Sequence, residues 1–209
     1  MTFVFLGPQG AGKGTQARLI AEEFGFEHVS IGDYLRKEVA KQSDVGKLIQ
    51  SYMLEGKLIP TDVNNQIIRG IIEGRDDLII DGYPRTSDQA RFLFSNFKIQ
   101  GLVVLDIGEE ESLRRLSKRL VCTANHKNFI EGHVSEKDVL ECEALGGKII
   151  RRSDDEPRAI KKRLEIYHKE TEPLIELFVQ NNIPVVRVNA ERSVDEIFSE
   201  VKEKIKHLF

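Results

Sequence analysis

Four glycines and one lysine stand in the segment 7–15, GPQGAGKGT, directly behind the apolar run TFVFL at 2–6. Gly7, Gly10, Gly12 and Gly14 carry no Cβ, so the backbone there can take strained dihedral angles and come close to a ligand. Loop N–H groups then converge on an anion, and the positive end of the helix that begins near Lys13 adds to the attraction. Lys13 brings a mobile point charge for the β- and γ-phosphates of a nucleotide. Residues Gly10, Ala11, Gly12, Lys13, Gly14 and Thr15 form a candidate phosphate cradle. One departure is informative. The usual pattern places Ser or Thr directly after the lysine as a magnesium ligand, whereas Gly14 stands there and the hydroxyl follows at Thr15. A GTPase-like magnesium site is disfavoured.

Arginine suits phosphate clamping because its planar fork is always charged and donates in pairs. Arg36, Arg85, Arg115, Arg119, Arg151, Arg152 and Arg163 recur where the chain nears predicted strand ends. Asp81 closes the apolar stretch LIID at 78–81, where a carboxylate could hold Mg²⁺ through water. Gly82 and Pro84 bend and stiffen the loop that follows, so that Arg85 points back to the cleft. Asp154 and Asp155 precede the helix that carries Arg163, and are expected to cap it and to pair with arginines. No Ser-His-Asp or Cys-His nucleophile is apparent, and His168 is expected to pack or cap.

Such groups need a frame. Apolar strand candidates recur at 2–6, 27–31, 78–81, 102–107 and 184–188, and several are nearly continuous in apolar residues, as in strands covered on both faces. Helical patterns lie near 13–24, 61–73, 87–97, 109–120, 157–181 and 193–207. This alternation predicts an α/β fold, a parallel sheet wrapped by helices, with ligands beyond the C-terminal strand ends. Two segments break it. Residues 30–59 are charged and helical in pattern, with Gly46 and Gly56 as breaks, and look like a helical insertion. Residues 121–153 hold both cysteines and weak periodicity, and look like a small irregular one.

At 209 residues the chain can bury a good core as one domain with insertions. A formal charge of −3 argues against nucleic acid or an anionic membrane as the main partner, although a basic cleft can hide inside a balanced total. Apolar stretches are strand-length, so no transmembrane helix is expected. The N-terminus runs into a core strand without a basic region or cleavage site, so no signal peptide is expected. Two cysteines are too few for a disulfide framework, which points to a reducing cytoplasm.

Taken together, these residues resemble the adenylate kinases, within the nucleoside monophosphate kinases, over nearly the whole chain. The resemblance rests on GPQGAGKGTQ (7–16), SIGDYLR (30–36), GKLIP (56–60), DGYPRTSDQA (81–90), RRLSKRL (114–120), RRSDD (151–155), KRLEIYHKETEPLI (162–175) and VVRVNA (185–190), in order. It implies a five-stranded parallel P-loop core over 1–29, 60–120 and 158–209, with a monophosphate-binding insertion at 30–59 and a lid at 121–157. It further implies ATP, AMP and ADP as partners, Mg²⁺ with ATP, and a monomer. Matched by position, Lys13 and the loop amides would cradle the donor phosphates. Arg115 would lie against the donor adenine, and the Arg187 carbonyl would accept from its amino group. Arg36 and Arg85 would hold the acceptor α-phosphate. Gln89 would read the acceptor adenine, helped by main chain near Gly82 and Lys57. Arg119, Arg152 and Arg163 would surround the transferred group, and Asp81 with Asp33 would orient hydrated Mg²⁺.

This chain also departs from the family pattern. Ile31 stands where most relatives carry threonine, beside the acceptor base. Cys122 and Cys142 hold the first position of each half of a zinc-lid motif, but Asn125 and Leu145 hold the second, and leucine cannot bind a metal. The cysteines are therefore expected as remnants, small buried hydrophobes in a metal-free lid, with a disulfide disfavoured in cytosol. Asn189 and Ala190 replace the more common Asp-Gly, at a main-chain contact where little effect is expected. The alternatives are a kinase for UMP, CMP or GMP, a non-catalytic nucleotide-binding protein, and a P-loop GTPase or transport ATPase.

Overall fold

A computed structural model describes residues 1–208. Five parallel strands form the main sheet: β1 (Thr2–Leu6), β2 (Glu27–Ser30), β3 (Leu78–Asp81), β4 (Gly101–Asp106) and β8 (Val185–Asn189), in the order β2-β3-β1-β4-β8. The order runs outward from β1 in both directions, through β3 on one side and β4 on the other. That reversal opens a crevice at the C-terminal end of β1, where an α/β sheet binds its ligand. The three central strands, β1, β3 and β4, are nearly continuous in apolar residues because helices cover both faces, whereas the edge strands β2 and β8 also carry Glu27, His28 and Arg187. On one face, Val4, Leu6, Ile80 and Val104 pack with Leu93, Leu174 and Phe178. On the other, Phe3, Phe5, Ile79 and Val103 pack with Ile20, Val201 and Ile205.

The helices are α1 (Lys13–Phe24), α2 (Ile31–Ala40), α3 (Asp44–Leu54), α4 (Thr61–Ile72), α5 (Ser87–Asn96), α6 (Glu109–Ser117), α7 (Glu136–Ala144), α8 (Pro157–Ile166), α9 (Leu174–Gln180) and α10 (Val194–Lys206). Ser30, Ser43 and Thr86 cap α2, α3 and α5 by accepting from the N–H three residues on, and Ser193 and Glu196 form a capping box at α10. Among the described residues no helix is long and apolar enough to cross a membrane.

The structure corrects several boundaries. The helical pattern at 109–120 ends at Ser117, and Arg119 starts a strand, β5 (Arg119–Cys122). The pattern at 157–181 is not one α-helix. A π-helical turn, Tyr167–Thr171, separates α8 from α9, with the Glu172 N–H donating to the Tyr167 carbonyl at 2.8 Å. The irregular second insertion is ordered. Strands β5, β6 (Asn128–Ile130) and β7 (Ile149–Arg151) make an antiparallel sheet in the order β6-β5-β7, and α7 packs against it.

The cysteines differ most from expectation. They are not free thiols: Cys122 and Cys142 form the disulfide that was disfavoured, with Cα atoms 5.8 Å apart. Both are fully buried with Phe129, flanked by Leu120, Val134 and Ile149. Folding α7 onto the end of β5 brings the sulfurs together. Gly147 lets the chain return close by, since a Cβ there would lie 2.7 Å from Ala124 Cβ and 2.9 Å from Cys142 Sγ. Thiol exchange needs access to sulfur, so burial slows reduction of this bond. Leu145 is exposed at the end of α7, and Asp138 is engaged by Ser135 and Lys127. Among the described residues no three His, Cys, Asp or Glu side chains gather where they could share a metal.

Candidate active site

The cradle joins β1 to α1 through a loop with φ of +89° at Gly10 and +82° at Gly12. At Gly10 a side chain is excluded twice over. The φ is left-handed, and a Cβ would lie 3.0 Å from the Ser112 carbonyl oxygen. Helix α6 thus packs straight onto the loop, and the Ser112 hydroxyl donates to the Gln9 carbonyl. Lys13 folds back, its Nζ donating to the carbonyls of Gly7 at 2.8 Å and Pro8 at 2.9 Å. Burial pushes the Lys13 amine down to about 8. Asp81 opposes that shift, and Arg85, Arg119 and Arg163 add to it.

One cleft of about 600 Å³ runs along the C-terminal ends of β1, β2 and β3, under the small sheet. Its walls carry Lys13, Arg36, Lys57, Arg85, Arg115, Arg119, Arg152, Arg163 and Arg192, against the carboxylates Asp33, Asp81 and Asp154. Positive charge is therefore concentrated here in a chain of net charge −3. Like charges crowd in a buried site, so burial and the neighbouring Arg119 and Arg36 lower the Arg152 pKa, while burial and Arg163 lower that of Arg85. A site that strains its own cations favours an anionic ligand.

Carboxylates hold the guanidinium groups in register. Asp155 takes both forks of Arg119, with Nε at 2.7 Å, and also Arg163 Nη2 at 2.8 Å. Asp154 meets Arg163 at 3.2 Å and Arg36 at 3.7 Å, and so links the segment before α8 to α2. Burial pushes the Asp155 carboxyl up, but Arg119 and Arg163 more than offset it, and the net shift is downward. The two aspartates pair with arginines as expected. They do not cap α8, whose N-cap is Glu156. Arg36 is bonded to Asp33, and Arg152 Nη2 donates to Asn128 Oδ1 at 2.8 Å. Arg115 is tied to Glu111 at 2.7 Å.

The loop after β3 aims Arg85. Gly82 has φ +85°, and a Cβ there would stand 3.4 Å from Arg85 Nη2. The guanidinium folds back over that bare backbone, its Nε donating to the Gly82 carbonyl at 2.9 Å. Gln89 Oε1 accepts the Arg85 N–H at 2.7 Å.

Most residues expected from the sequence line this cleft: Gly10 to Thr15, Ile31, Asp33, Arg36, Lys57, Asp81, Gly82, Arg85, Arg115, Arg119, Arg152 and Arg163. Two do not. Gln89 lies just behind the wall, fully buried, with Nε2 lacking a hydrogen-bond partner. Arg187 sits elsewhere: its guanidinium forks onto Asp106, its carbonyl accepts from Lys204 Nζ at 2.8 Å, and it faces a separate hollow beside Pro8, His168 and Glu172. The sequence reading missed Arg192, Ser193 and Val194, which line the cleft at the start of α10, where Val194 O accepts from Gln16 Nε2 at 2.9 Å. The signal was present, since Ser193 and Glu196 spell a capping box just beyond β8. His168 packs as expected, its ring edge-on to Tyr167 with centroids 5.4 Å apart, although it is exposed and also meets Glu172 Oε2 at 2.8 Å.

A cleft rich in guanidinium groups and open at a glycine loop suits transfer of a phosphoryl group between two bound anions. On this sheet that defines a P-loop phosphotransferase. Comparison with known proteins narrows the class. A family model described as Adenylate kinase matches residues 5–183. The adenylate kinase of Petrotoga mobilis is 37% identical over 206 residues, covering 96% of this chain and 95% of that protein. Those of Methanocella arvoryzae, at 35% with all of both chains covered, and Pyrococcus furiosus, at 34% with 100% of this chain and 97% of that protein, are also similar. The chain belongs to the adenylate kinase family and is a nucleoside monophosphate kinase.

Proposed function

We propose that the chain transfers the terminal phosphoryl group of ATP to AMP, reversibly and with Mg²⁺, giving two ADP. One observation carries this reading: Lys13, Arg36, Arg85, Arg119, Arg152 and Arg163, from six different elements or loops, face a single cleft. Phosphoryl transfer asks little covalent chemistry of a protein; it asks for two nucleotides in line and for neutralised charge. In this reading Lys13 leaves the Gly7 and Pro8 carbonyls for the donor phosphates. Arg36 and Arg85 hold the acceptor phosphate, with Ile31, Lys57 and Gln89 around its base. Arg119, Arg152 and Arg163 surround the group in flight, and Arg115 with Arg192–Val194 borders the donor base.

Mg²⁺ fits the residues present. A Cβ on Gly14 would lie 3.2 Å from Asp81 Oδ2, so this carboxylate faces the first turn of α1, and Asp33 lines the same cleft. Bound there with ATP, the ion would neutralise the β- and γ-phosphate oxygens. Residues 30–59 and 121–157 act as closing units over the core, excluding water from the transfer. The Arg36–Asp154 pair and the approach of Gly56 to Ala159, where a Cβ would meet the carbonyl at 2.6 Å, support closure by the first of them. Completion of the cleft within one chain supports action as a monomer, which we assign to the cytoplasm.

The deciding experiment is coupled ADP formation with AMP, UMP, CMP and GMP as acceptors. AMP is expected to be the best substrate. A preference for another monophosphate would make this a different nucleotide kinase, with Ile31 as the first suspect, and binding without turnover would leave only a nucleotide-binding protein.

The depressed Lys13 pKa predicts a pH dependence. In the free protein the protonated amine, the form that attracts phosphate, is held below pH 8 and lost above it. ATP binding above that pH must take up a proton. Affinity for ATP is expected to fall about tenfold from neutral pH to pH 9. Calorimetry across that range, beside Lys13→Met, checks this; a flat profile in the native protein would remove Lys13 from the phosphate site.

A further inference from the structure

We infer that Thr171 is a positioning residue for phosphoryl transfer: its hydroxyl, presented by the π-helical turn, fixes the backbone of Arg85. The Thr171 Oγ1 donates to the Arg85 carbonyl at 3.0 Å across 86 positions of sequence. Thr171 is only 6% exposed and does not line the cleft, so it acts through Arg85 and not on a nucleotide.

The geometry around Arg85 gives this contact its meaning. Both polar groups of the Arg85 backbone are held by side chains. Gln89 Oε1 takes the N–H from α5, and Thr171 serves the C=O from the π-helical turn. The residue has no place in a helix or strand, and the loop around it contains Gly82 in a left-handed conformation. A loop of that kind keeps a long guanidinium in one place only if its main chain is fixed from outside. Tyr83, two residues earlier, is anchored through its own side chain, its hydroxyl donating to Asn65 Oδ1 at 2.7 Å.

The π turn is the other half of the device. Tyr167 and Thr171 are its buried residues, while His168 and Lys169 face solvent. Widened helical turns of this kind occur frequently at functional sites. Here the turn continues directly from α8, which carries Arg163 into the same cleft. One continuous helical segment thus places Arg163 by its own side chain and Arg85 through Thr171. A displacement of the segment would move both guanidinium groups together, on the acceptor side and at the transferred phosphate.

The inference rests on the proposed reading of Arg85 as the clamp on the acceptor phosphate. The test compares native protein, Thr171→Val and Thr171→Ser. Valine keeps the β-branched shape and removes the hydroxyl; serine keeps the hydroxyl and removes a methyl. Steady-state kinetics with AMP and ATP varied separately, AMP affinity by calorimetry, and the melting temperature are measured on each. Thr171→Val is expected to lose about tenfold in kcat/KM for AMP, with KM for ATP unchanged, and Thr171→Ser to recover most of that loss. Equal losses toward both nucleotides, tracking a lowered melting temperature in both variants, would reduce Thr171 to a packing residue and overturn the inference. So would native-like AMP kinetics in Thr171→Val. Failure of the native protein to phosphorylate AMP would instead strike the functional reading beneath it.

Discussion

Alanine in place of Arg85 is expected to lower kcat for AMP phosphorylation by about two orders of magnitude or more. A charged donor fixed in a site poor in water is worth roughly 3 kcal/mol of transition-state stabilisation or above. Here the donor is fixed in advance. Its Nε is bonded to Gly82, and both backbone polar groups are held from neighbouring elements. The fold itself should tolerate the change. The side chain projects into the cleft, and burial together with Arg163 already disfavours its charge. Removing it relieves repulsion in the resting protein and costs only the anion-bound states. Lysine at this position should recover little, because a point charge on a flexible stem lacks the planar fork. Stopped-flow or coupled assays of Arg85→Ala, with circular dichroism to verify folding, decide the matter. An alanine variant within about tenfold of the native rate would show that the acceptor phosphate is held elsewhere.

Reduction of the Cys122–Cys142 bond is expected to destabilise the unit of β5, β6, β7 and α7, the proposed lid, by about 3 kcal/mol. The estimate follows from the length of chain the bond closes, a separation of 20 residues, and from the entropy such a loop regains when opened. The bond matters because the lid has little else. Its buried apolar cluster holds Phe129 and the two cysteines themselves, with Leu120, Val134 and Ile149 at the margin. A unit this small cannot bury enough apolar surface alone and needs a staple. Amide hydrogen exchange across β5, β6 and α7, with and without dithiothreitol, is the measurement. Faster exchange is expected there after reduction, with little change in the main sheet and with a raised KM for ATP. The variant Cys122→Ala/Cys142→Ala should behave like reduced protein and ignore the reductant. Two titratable thiols in the protein as purified, or exchange unaffected by reduction, would contradict the bond.

What could be read from the chain alone was what short-range physics controls. The phosphate loop is a local object: an apolar strand, glycines where φ must turn positive, and a helix starting at Lys13. Its function follows from nine consecutive residues. The parallel sheet was legible for a related reason. Strands buried on both faces are nearly continuous in apolar residues, as β1, β3 and β4 are, and 2–6, 27–31, 78–81, 102–107 and 184–188 all appear within a residue or so of their predicted bounds. Arg36, Arg85, Arg119, Arg152 and Arg163 could be nominated because they stand near the ends of predicted elements, even though the partners of those elements were unknown.

The rest was settled by contacts between residues far apart in sequence. Whether two cysteines pair depends on how α7 lies on β5, and no pattern within 121–153 encodes that packing. Compartment-based reasoning pointed to free thiols, and burial of the sulfurs overrode it. Arg187 and Arg192 lie five residues apart, yet β8 turns one toward Asp106 while the start of α10 brings the other into the cleft. The π turn that carries Thr171 to Arg85 sits in a stretch whose periodicity reads as unbroken helix. Local sequence determines which elements form and which charges they bear. The direction in which each charge points, and what restrains it, depends on long-range packing, because a side chain's partner is chosen by proximity in space.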